Sequence, residues 1–465
     1  MTATPRDDRR PPAWQGPGDG RGAERAPVEV PEEAWPSPLE EASLSAFFAR
    51  LLPALRAFRY PHYRILWVSG VLSSVGNWMQ TAAYGVLVLG LTGSPLLTAL
   101  IPASQQFLMG PLGPVGGLLA DRFNRRNLLI VTQSAFAISA AGIAVLILMG
   151  DPRPAPLLAI SLATGVFMAV NFPAYQAFFP RLIPPGEMPN AVAMNSVSFN
   201  VARIVGPSIG AVILRIWGPG PVFLVNAATF VLFAVALMFI PSRTGAIPAA
   251  HRDAVGSIGD GWRYVRRDPT TRTLIMGIGL ISLFALPVIW LSPLMADRIF
   301  GSPRDTGFIL SAMGGGAIFG ALLAGSLGAD RRPHIGTVSY FLLALSLGGF
   351  AFATVPALSL ALIALFGASY MGAAVVINSL VQLVTPDRIR GRVMSLYMMA
   401  WVGLLPYGAI LAGGLAEWVG GDLGAPLALA VGAGLCLLFA IRLAVRGDWI
   451  PRNPEAADGP GPASD

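Results

Sequence analysis

The chain has 465 residues, of which 54% are hydrophobic and only 12% charged, with a mean hydropathy of +0.62. A soluble globular chain carries about a quarter charged residues, so this composition excludes an ordinary soluble enzyme. The formal charge of +7 comes from Arg without any Lys, which excludes a Walker-type phosphate loop and Lys Schiff-base chemistry, and a single Cys excludes a disulfide framework or a thiolate metal cage.

In chain order, residues 1–43 are rich in Pro, Gly, Asp, Glu and Arg, with too few aliphatic side chains to build a core, and read as a disordered cytoplasmic tail. Residues 44–63 follow, with Phe47, Phe48, Leu51, Leu52, Leu55 and Phe58 set among Arg50, Arg56 and Arg59. That pattern predicts an amphipathic juxtamembrane segment on the inner membrane surface. Long charge-free runs then begin. Residues 65–120 hold two spans with a turn at Thr92-Gly93-Ser94-Pro95; 127–150, 154–180 and 216–242 hold one each, and 188–214 is interrupted only by Arg203. These make a six-helix bundle over 64–242. A basic central loop, 243–272, carries Arg243, Arg252, Arg263, Arg266, Arg267 and Arg272.

The pattern then resumes at 273–296, 306–329, 333–386 (split near Thr354-Val355-Pro356), 393–416 and 423–441, giving a second six-helix bundle over 273–446 and a cytoplasmic tail over 447–465. The expected fold is therefore all-α and integral to the membrane, with twelve transmembrane helices in two bundles. Arg side chains crowd alternate loops (Arg122/125/126, Arg181, the central loop, Arg331/332, Arg388/390/392), while the other loops and span ends hold only Arg153, Arg215, Arg298 and Arg304. The positive-inside rule then puts both termini in the cytoplasm.

The halves echo each other once. Gly116-Gly-Leu-Leu-Ala-Asp121-Arg122 ends the second span and Gly325-Ser-Leu-Gly-Ala-Asp330-Arg331 the eighth. The run Gly117-x-x-x-Asp121-Arg122-x-Asn124-Arg125-Arg126 resembles motif A of the major facilitator superfamily, with Asn124 where the motif has Gly. Asn tolerates a left-handed backbone better than most residues, so the tight turn is expected to survive. The resemblance implies that Asp121, with Gly117, Arg122, Arg125 and Arg126, latches the outward-open state, with Asp330 and Arg331 as the second-half counterpart. The competing reading is a plain inside-positive anchor. Arg203, Gly206, Pro207 and Gly210 fall in a stretch that looks like the exporter motif C, with Ala202 and Ala211 at both outer Gly positions; in the superfamily that motif marks antiporters. Small residues four apart also serve as general helix packing.

Phe58-Arg59-x4-Arg64-Ile-Leu-Trp67, Gly76-Asn77-Trp78-Met79-Gln80, Asn200-Val-Ala-Arg203 and Arg390-Gly391-Arg392-Val-Met-Ser395 are similar to the enterobactin-exporter-like branch of that superfamily, over about residues 58–446. The resemblance implies a bacterial inner-membrane carrier that works by alternating access.

Polar groups inside spans are costly unless they face a cavity or a partner helix. Asn77, Gln80, Gln105, Asn171, Tyr175, Gln176, Asn200, Arg203, Asn378, Gln382 and Trp401 are the expected cavity lining, with Arg203 near mid-membrane. No Asp or Glu lies within a charge-free core. Proton-coupled antiport is thus implied by the resemblance rather than by a buried carboxylate. The leading reading is an exporter of a small amphiphilic or siderophore-like molecule. Its expected partners are that small molecule, the bilayer and protons, with a monomeric chain and no nucleic acid, metal or cofactor. A facilitated carrier, an importer and a non-transporting sensor or assembly protein on the same fold stay open.

Overall fold

The structure, a computed structural model, describes residues 55–150, 152–241, 254–326 and 332–446. The tails, most of the amphipathic segment at 44–63, the start of the central loop and the second-half echo at Asp330 and Arg331 lie outside them. Among the described residues the regular structure is helical throughout.

Helix α1 (Pro61–Thr92) leaves through Gly93, whose φ of 61° closes the turn, and the chain re-enters at Ser94. The Ser94 hydroxyl accepts the Leu97 N–H at 3.1 Å, and Pro95 stands in the first turn, where its missing N–H costs nothing. The Thr-Gly-Ser-Pro turn is therefore a helix stop followed by a helix start. The re-entering span is split at Leu108 into α2 (Pro95–Phe107) and α3 (Met109–Arg122), with Pro102 and Pro114 inside the two pieces. Next come α4 (Arg125–Leu148), α5 (Pro154–Phe178), α6 (Met188–Trp217) and α7 (Pro219–Met238).

The central loop contains a helix, α8 (Ala254–Arg267). The Asp268 carboxylate then caps the next helix by accepting the Thr271 N–H at 2.7 Å. That helix, α9 (Pro269–Leu280), starts one turn earlier than the charge pattern suggests, because Arg272 sits in its first turn. It widens into a π-type turn over Ile281–Ala285 and continues as α10 (Val288–Phe300). The remaining helices are α11 (Thr306–Ser326), α12 (Arg332–Phe352), α13 (Pro356–Val384), α14 (Asp387–Met398), α15 (Leu405–Val419) and α16 (Gly424–Arg446). A second π-type turn, Met399–Gly403, joins α14 to α15. Both wide turns lie just upstream of a proline, Pro287 and Pro406, where the missing N–H interrupts the regular ladder.

Among the described residues, ten helices, counting those joined through the π-type turns as one, are long and apolar enough to cross a membrane. The other two candidates are α1 and the split α2–α3. Helix α1 is long enough, but Asn77 and Gln80 dilute its apolarity, whereas α2 and α3 are short pieces of 13 and 14 residues. Counting these two gives the twelve expected from the charge-free runs. Large apolar side chains such as Ile138, Phe319, Leu345 and Leu438 point outward from the bundles, as a lipid-facing surface requires.

The Asn124 expectation is corrected. Its φ is −64°, no non-Gly residue among those described has a positive φ, and its side-chain carbonyl accepts the N–H groups of Arg126 at 3.1 Å and Asn127 at 3.4 Å. The motif tolerates Asn here because Asn is a good helix N-cap, and no left-handed turn is needed.

Candidate functional site

Helices α1 to α7 form a partly open cavity of about 340 Å³ lined only by residues of that half. Helix α1 contributes Ser73, Ser74, Asn77 and Gln80, α2 contributes Gln105, and α4 contributes Gln133, Phe136 and Ser139. Helix α5 adds Thr164, Asn171, Phe172, Tyr175 and Gln176, α6 adds Asn195 and Phe199, and α7 adds Phe230 and Phe233. The lining holds amides, hydroxyls and aromatic rings but no charged side chain.

Part of the polar lining is braced by its own neighbours. Asn226 donates to Gln80 Oε1 at 2.6 Å, Asn171 donates to Thr132 Oγ1 at 2.7 Å, and the Tyr175 hydroxyl donates to Asn195 Oδ1 at 3.2 Å. Gln133 is different. It is 4% exposed, and its Oε1 has no hydrogen-bond partner. A buried amide oxygen left without a donor is costly, so this atom is poised to accept from something inside the cavity.

Six of the sequence-derived cavity residues line this space: Asn77, Gln80, Gln105, Asn171, Tyr175 and Gln176. The other five do not. Asn200 Nδ2 donates to the Ser196 carbonyl at 2.9 Å along its own helix, Gln382 donates to Asn378 at 2.6 Å, and the Trp401 carbonyl accepts from Ser282 at 2.7 Å. Arg203 is 4% exposed, with its guanidinium 5.7 Å from the Trp78 ring and 5.1 Å from the Tyr370 ring. Sequence reasoning expected a cleft-facing Arg or one bonded to carbonyls. The observed partners are two aromatic faces, one from each half, and Nε has no hydrogen-bond partner. Gln133 was missed, although it is the one amide inside the charge-free run 128–150, past Asn127 at its edge, and could have been found on that ground.

Arg203 belongs to a seam joining the two halves. Ser208 of α6 and Ser311 of α11 share a hydrogen bond of 2.7 Å, and Ser311 also donates to the Ile204 carbonyl at 3.0 Å. A Cβ at Gly307 would run into the Pro207 carbonyl and Ala211, so α6 and α11 touch backbone to backbone there. Glu417 of α15 accepts from the Ser94 hydroxyl at 2.6 Å and the Leu96 N–H at 3.1 Å, so the second half caps α2 of the first. Ala99, Ala103, Trp290 and Ala409 bury one another across the same boundary, and Arg215 meets Asp305 at 3.7 Å. These contacts lie between mid-helix and the helix ends away from α8. At the α8 side, no described ion pair joins the two halves: Arg125 pairs with Asp121 at 3.4 Å, Arg390 with Asp387, and Arg392 with Asp260 of α8 at 2.7 Å.

The motif-like segments acquire definite contacts. Asp121 bonds Arg125, whose Nε also donates to the Ala120 carbonyl at 3.0 Å, and Arg126 donates to the Met238 carbonyl at 3.1 Å. Gly117 has open space around its Cα, and Arg122 is exposed. Gly206 and Gly210 turn toward α1: a Cβ on Gly206 would lie 2.6 Å from Trp78 Cβ, and one on Gly210 would lie 3.1 Å from Met79 Cα. One face of this motif C-like stretch thus packs inside the first half and the other forms the seam. Trp67 donates to the Met194 carbonyl at 2.8 Å and stacks edge-on against Phe58 at 4.9 Å, pinning α1 to α6.

A family model described as transmembrane secretion effector, within the major facilitator superfamily, matches residues 53–458. An uncharacterized MFS-type transporter, YfiS, from Bacillus subtilis (strain 168) is 28% identical over 374 residues, covering 76% of this chain and 87% of that protein. The enterobactin exporter EntS of Shigella boydii serotype 4 (strain Sb227) is 25% identical over 384 residues, covering 82% of this chain and 90% of EntS. A solved bacterial homologue of the human lysosomal transporter Spinster, in an inward-facing and occupied conformation, superposes with a TM-score of 0.67 at 12% identity, over 85% of this chain and 99% of that one. The fold, the paired bundles and the family match converge: the chain belongs to the transmembrane secretion effectors of the major facilitator superfamily, as a multi-pass secondary transporter of a small molecule and not an enzyme.

Proposed function

We propose that the chain exports a small, uncharged amphiphilic molecule across a bacterial inner membrane by alternating access. The observation that carries this reading is the charge-free cavity of amides and aromatic rings in the first half, with the unpartnered Gln133 Oε1 inside it. Hydroxyl or amide donors on the cargo would satisfy that oxygen, and its apolar parts would lie against Phe136, Phe172 and Phe230. Orientation rests on the Arg distribution: with both termini cytoplasmic, the seam closes the outer side and the conformation is inward-facing, ready to load from the cytoplasm. Residues 64–242 and 273–446 are the two rocking bodies of six spans each. The contacts of Asp121, Arg125 and Arg126 serve as the inner latch in the opposite state. Export, as opposed to import, rests on the motif C-like segment and on similarity to a named exporter.

Proton-coupled antiport is the mode that this motif implies. The uncharged cavity lining favours a second mode, an uncoupled carrier, because the carboxylates nearest the cleft (Asp121, Asp297 and Glu417) all sit at helix ends. A single experiment tests direction and cargo together: untargeted small-molecule profiling of cells and medium, with and without the intact chain and its Gln133→Ala and Asp121→Asn variants. A compound enriched outside only by the intact chain supports export. Enrichment inside reverses the direction, and no difference between any of the strains removes the transport reading. Once the cargo is known, proton counterflow in sealed vesicles separates antiport from uncoupled passage.

A further inference from the structure

At the α8 side of the second half lies another concavity, of about 420 Å³, unconnected with the cargo cavity. It is bounded by Asp260, Arg263, Tyr264 and Arg267 of α8 and by Arg388, Ile389 and Arg392 of α14. Four guanidinium groups therefore face one carboxylate, and that carboxylate is already engaged. Asp260 binds Arg392 at 2.7 Å and Arg263 at 3.1 Å. Among the described residues Arg267 and Arg388 have no ion-pair partner, and both are exposed.

The walls are held in place. A Cβ on Gly261 would sit 3.1 Å from Arg392 Cβ and 3.2 Å from the Arg392 carbonyl, so α8 seats closely on α14 and a side chain at 261 would press on Arg392. The Tyr264 hydroxyl donates to the Val384 carbonyl at 3.2 Å, tying α8 to the end of α13. On its outer face α8 carries an exposed Trp262 with the Arg266 guanidinium 6.0 Å from its ring, a pairing suited to the membrane–water boundary. The concavity thus lies where α13 ends and α14 begins, on the Arg-rich side, where the ends of bilayer-crossing helices meet headgroups.

We infer that this concavity is a binding site for a phosphate-type anion, held by Arg267 and Arg388 with Arg263 and Arg392 at its rim. Guanidinium groups favour phosphate because their planar fork donates two parallel hydrogen bonds to its oxygens. The source of the phosphate is either the headgroup of an anionic phospholipid or a free phosphorylated solute. Occupancy by either would clamp α8 to α14, the junction that couples the central connector to a span ending at the seam through α15.

The test is native mass spectrometry of the purified full-length chain in a neutral detergent, titrated with phosphatidylglycerol, phosphatidylcholine or inorganic phosphate. The wild type should retain phosphatidylglycerol about tenfold better than phosphatidylcholine, and the double variant Arg267→Gln/Arg388→Gln should lose that preference. Arg215→Gln, on the opposite side, should keep it. Retained phosphatidylglycerol that millimolar inorganic phosphate does not displace identifies a lipid site. Phosphate binding without lipid preference, lost in the double variant, identifies a free-anion site. Equal retention of every probe by wild type and double variant overturns the inference. Unchanged elution volume and helical circular dichroism guard against misfolding, and Arg267→Gln alone is the fallback, with a smaller loss expected.

Discussion

The two halves are built from the same number of candidate spans but are packed differently. In the second half, a single continuous cluster runs through α9 to α16, with Ile278, Leu291, Phe350, Phe366 and Ile377 all fully buried. The first half divides its buried apolar residues among three separate clusters: one around Tyr63 and Phe178, one around Tyr84 and Phe223, and a small one at Phe136 and Phe230. The cavity lined by α1 to α7, proposed above to take the cargo, occupies the space between them. A core interrupted by a polar cavity with an unpartnered amide oxygen, Gln133 Oε1, gives up packing for polar surface. The uninterrupted core suits a rigid body that swings against it. On the proposal that this cavity takes the cargo, recognition would fall to one half and leverage to the other.

The sharpest way to break this comparison is to hollow out the solid half. Phe366→Ala should cost about 3–5 kcal/mol of stability, as a large core truncation does, whereas Phe136→Ala beside the existing cavity should cost clearly less. Thermal unfolding of both variants in detergent would show it, and equal losses would erase the distinction. Next in size is the seam. Gly307→Leu should hold α6 and α11 apart at a cost of about 1–3 kcal/mol and slow flux on the order of tenfold to a hundredfold. It should also leave the outer side accessible to an impermeant thiol reagent in a Ser311→Cys background.

A smaller effect is expected at Glu417. Glu417→Gln keeps the shape but weakens the bonds to Ser94 and Leu96, by about 1–2 kcal/mol for charge-assisted pairs. The same accessibility assay should report a partial shift toward outward-open. Smaller again is the loss of one cargo bond: Gln133→Ala should weaken cargo affinity about threefold to tenfold. Asn378→Ala and Gln382→Ala, in the half without the cavity, should change it by less than about twofold. Cargo binding that responds equally in the two halves would return recognition to the cleft between them.

Much of this organisation is visible in the chain itself. Bilayer-crossing helices must exclude charge, so the charge-free runs mark α4 to α7 and α9 to α16 to within about two turns, whereas α8 lies in the basic central loop and was not expected as a helix. Ser94, followed by Pro95, marks its helix start to the residue, whereas the start after Asp268 falls a turn ahead of the charge-free run that begins at residue 273. The motif A-like loop was legible as a helix junction, although Asn124 acts as a cap and not in a strained turn. The break at Leu108 and the two π-type turns left no clear trace, because prolines sit in several spans and only some of them disrupt the ladder. The division of polar residues between the halves was not legible either. Asn77 and Asn378 look alike as isolated amides in apolar runs, and only packing decides which one meets open space. Arg203 stood out at once, but Tyr370, a long way along the chain, could be assigned to it only once α6 and α13 were placed in space.

That Arg203 sits midway along α6 has an electrical consequence. In an inward-facing conformation, the aqueous path from the cytoplasm brings the inner potential toward the middle of the protein, and most of the membrane field falls across the closed seam beyond Arg203. When the halves rock the other way, the field falls on the opposite side, and the same guanidinium experiences the outer potential without having moved. A full field acts on one charge with about 2.3 kcal/mol per 100 mV, and a guanidinium that passes from near the inner potential to near the outer one feels most of that. With the cell interior negative, the sign favours the inward-facing state. The resting voltage would then act as a return spring that resets the carrier after each release, and even an uncharged cargo would leave a transient displacement current as it crosses.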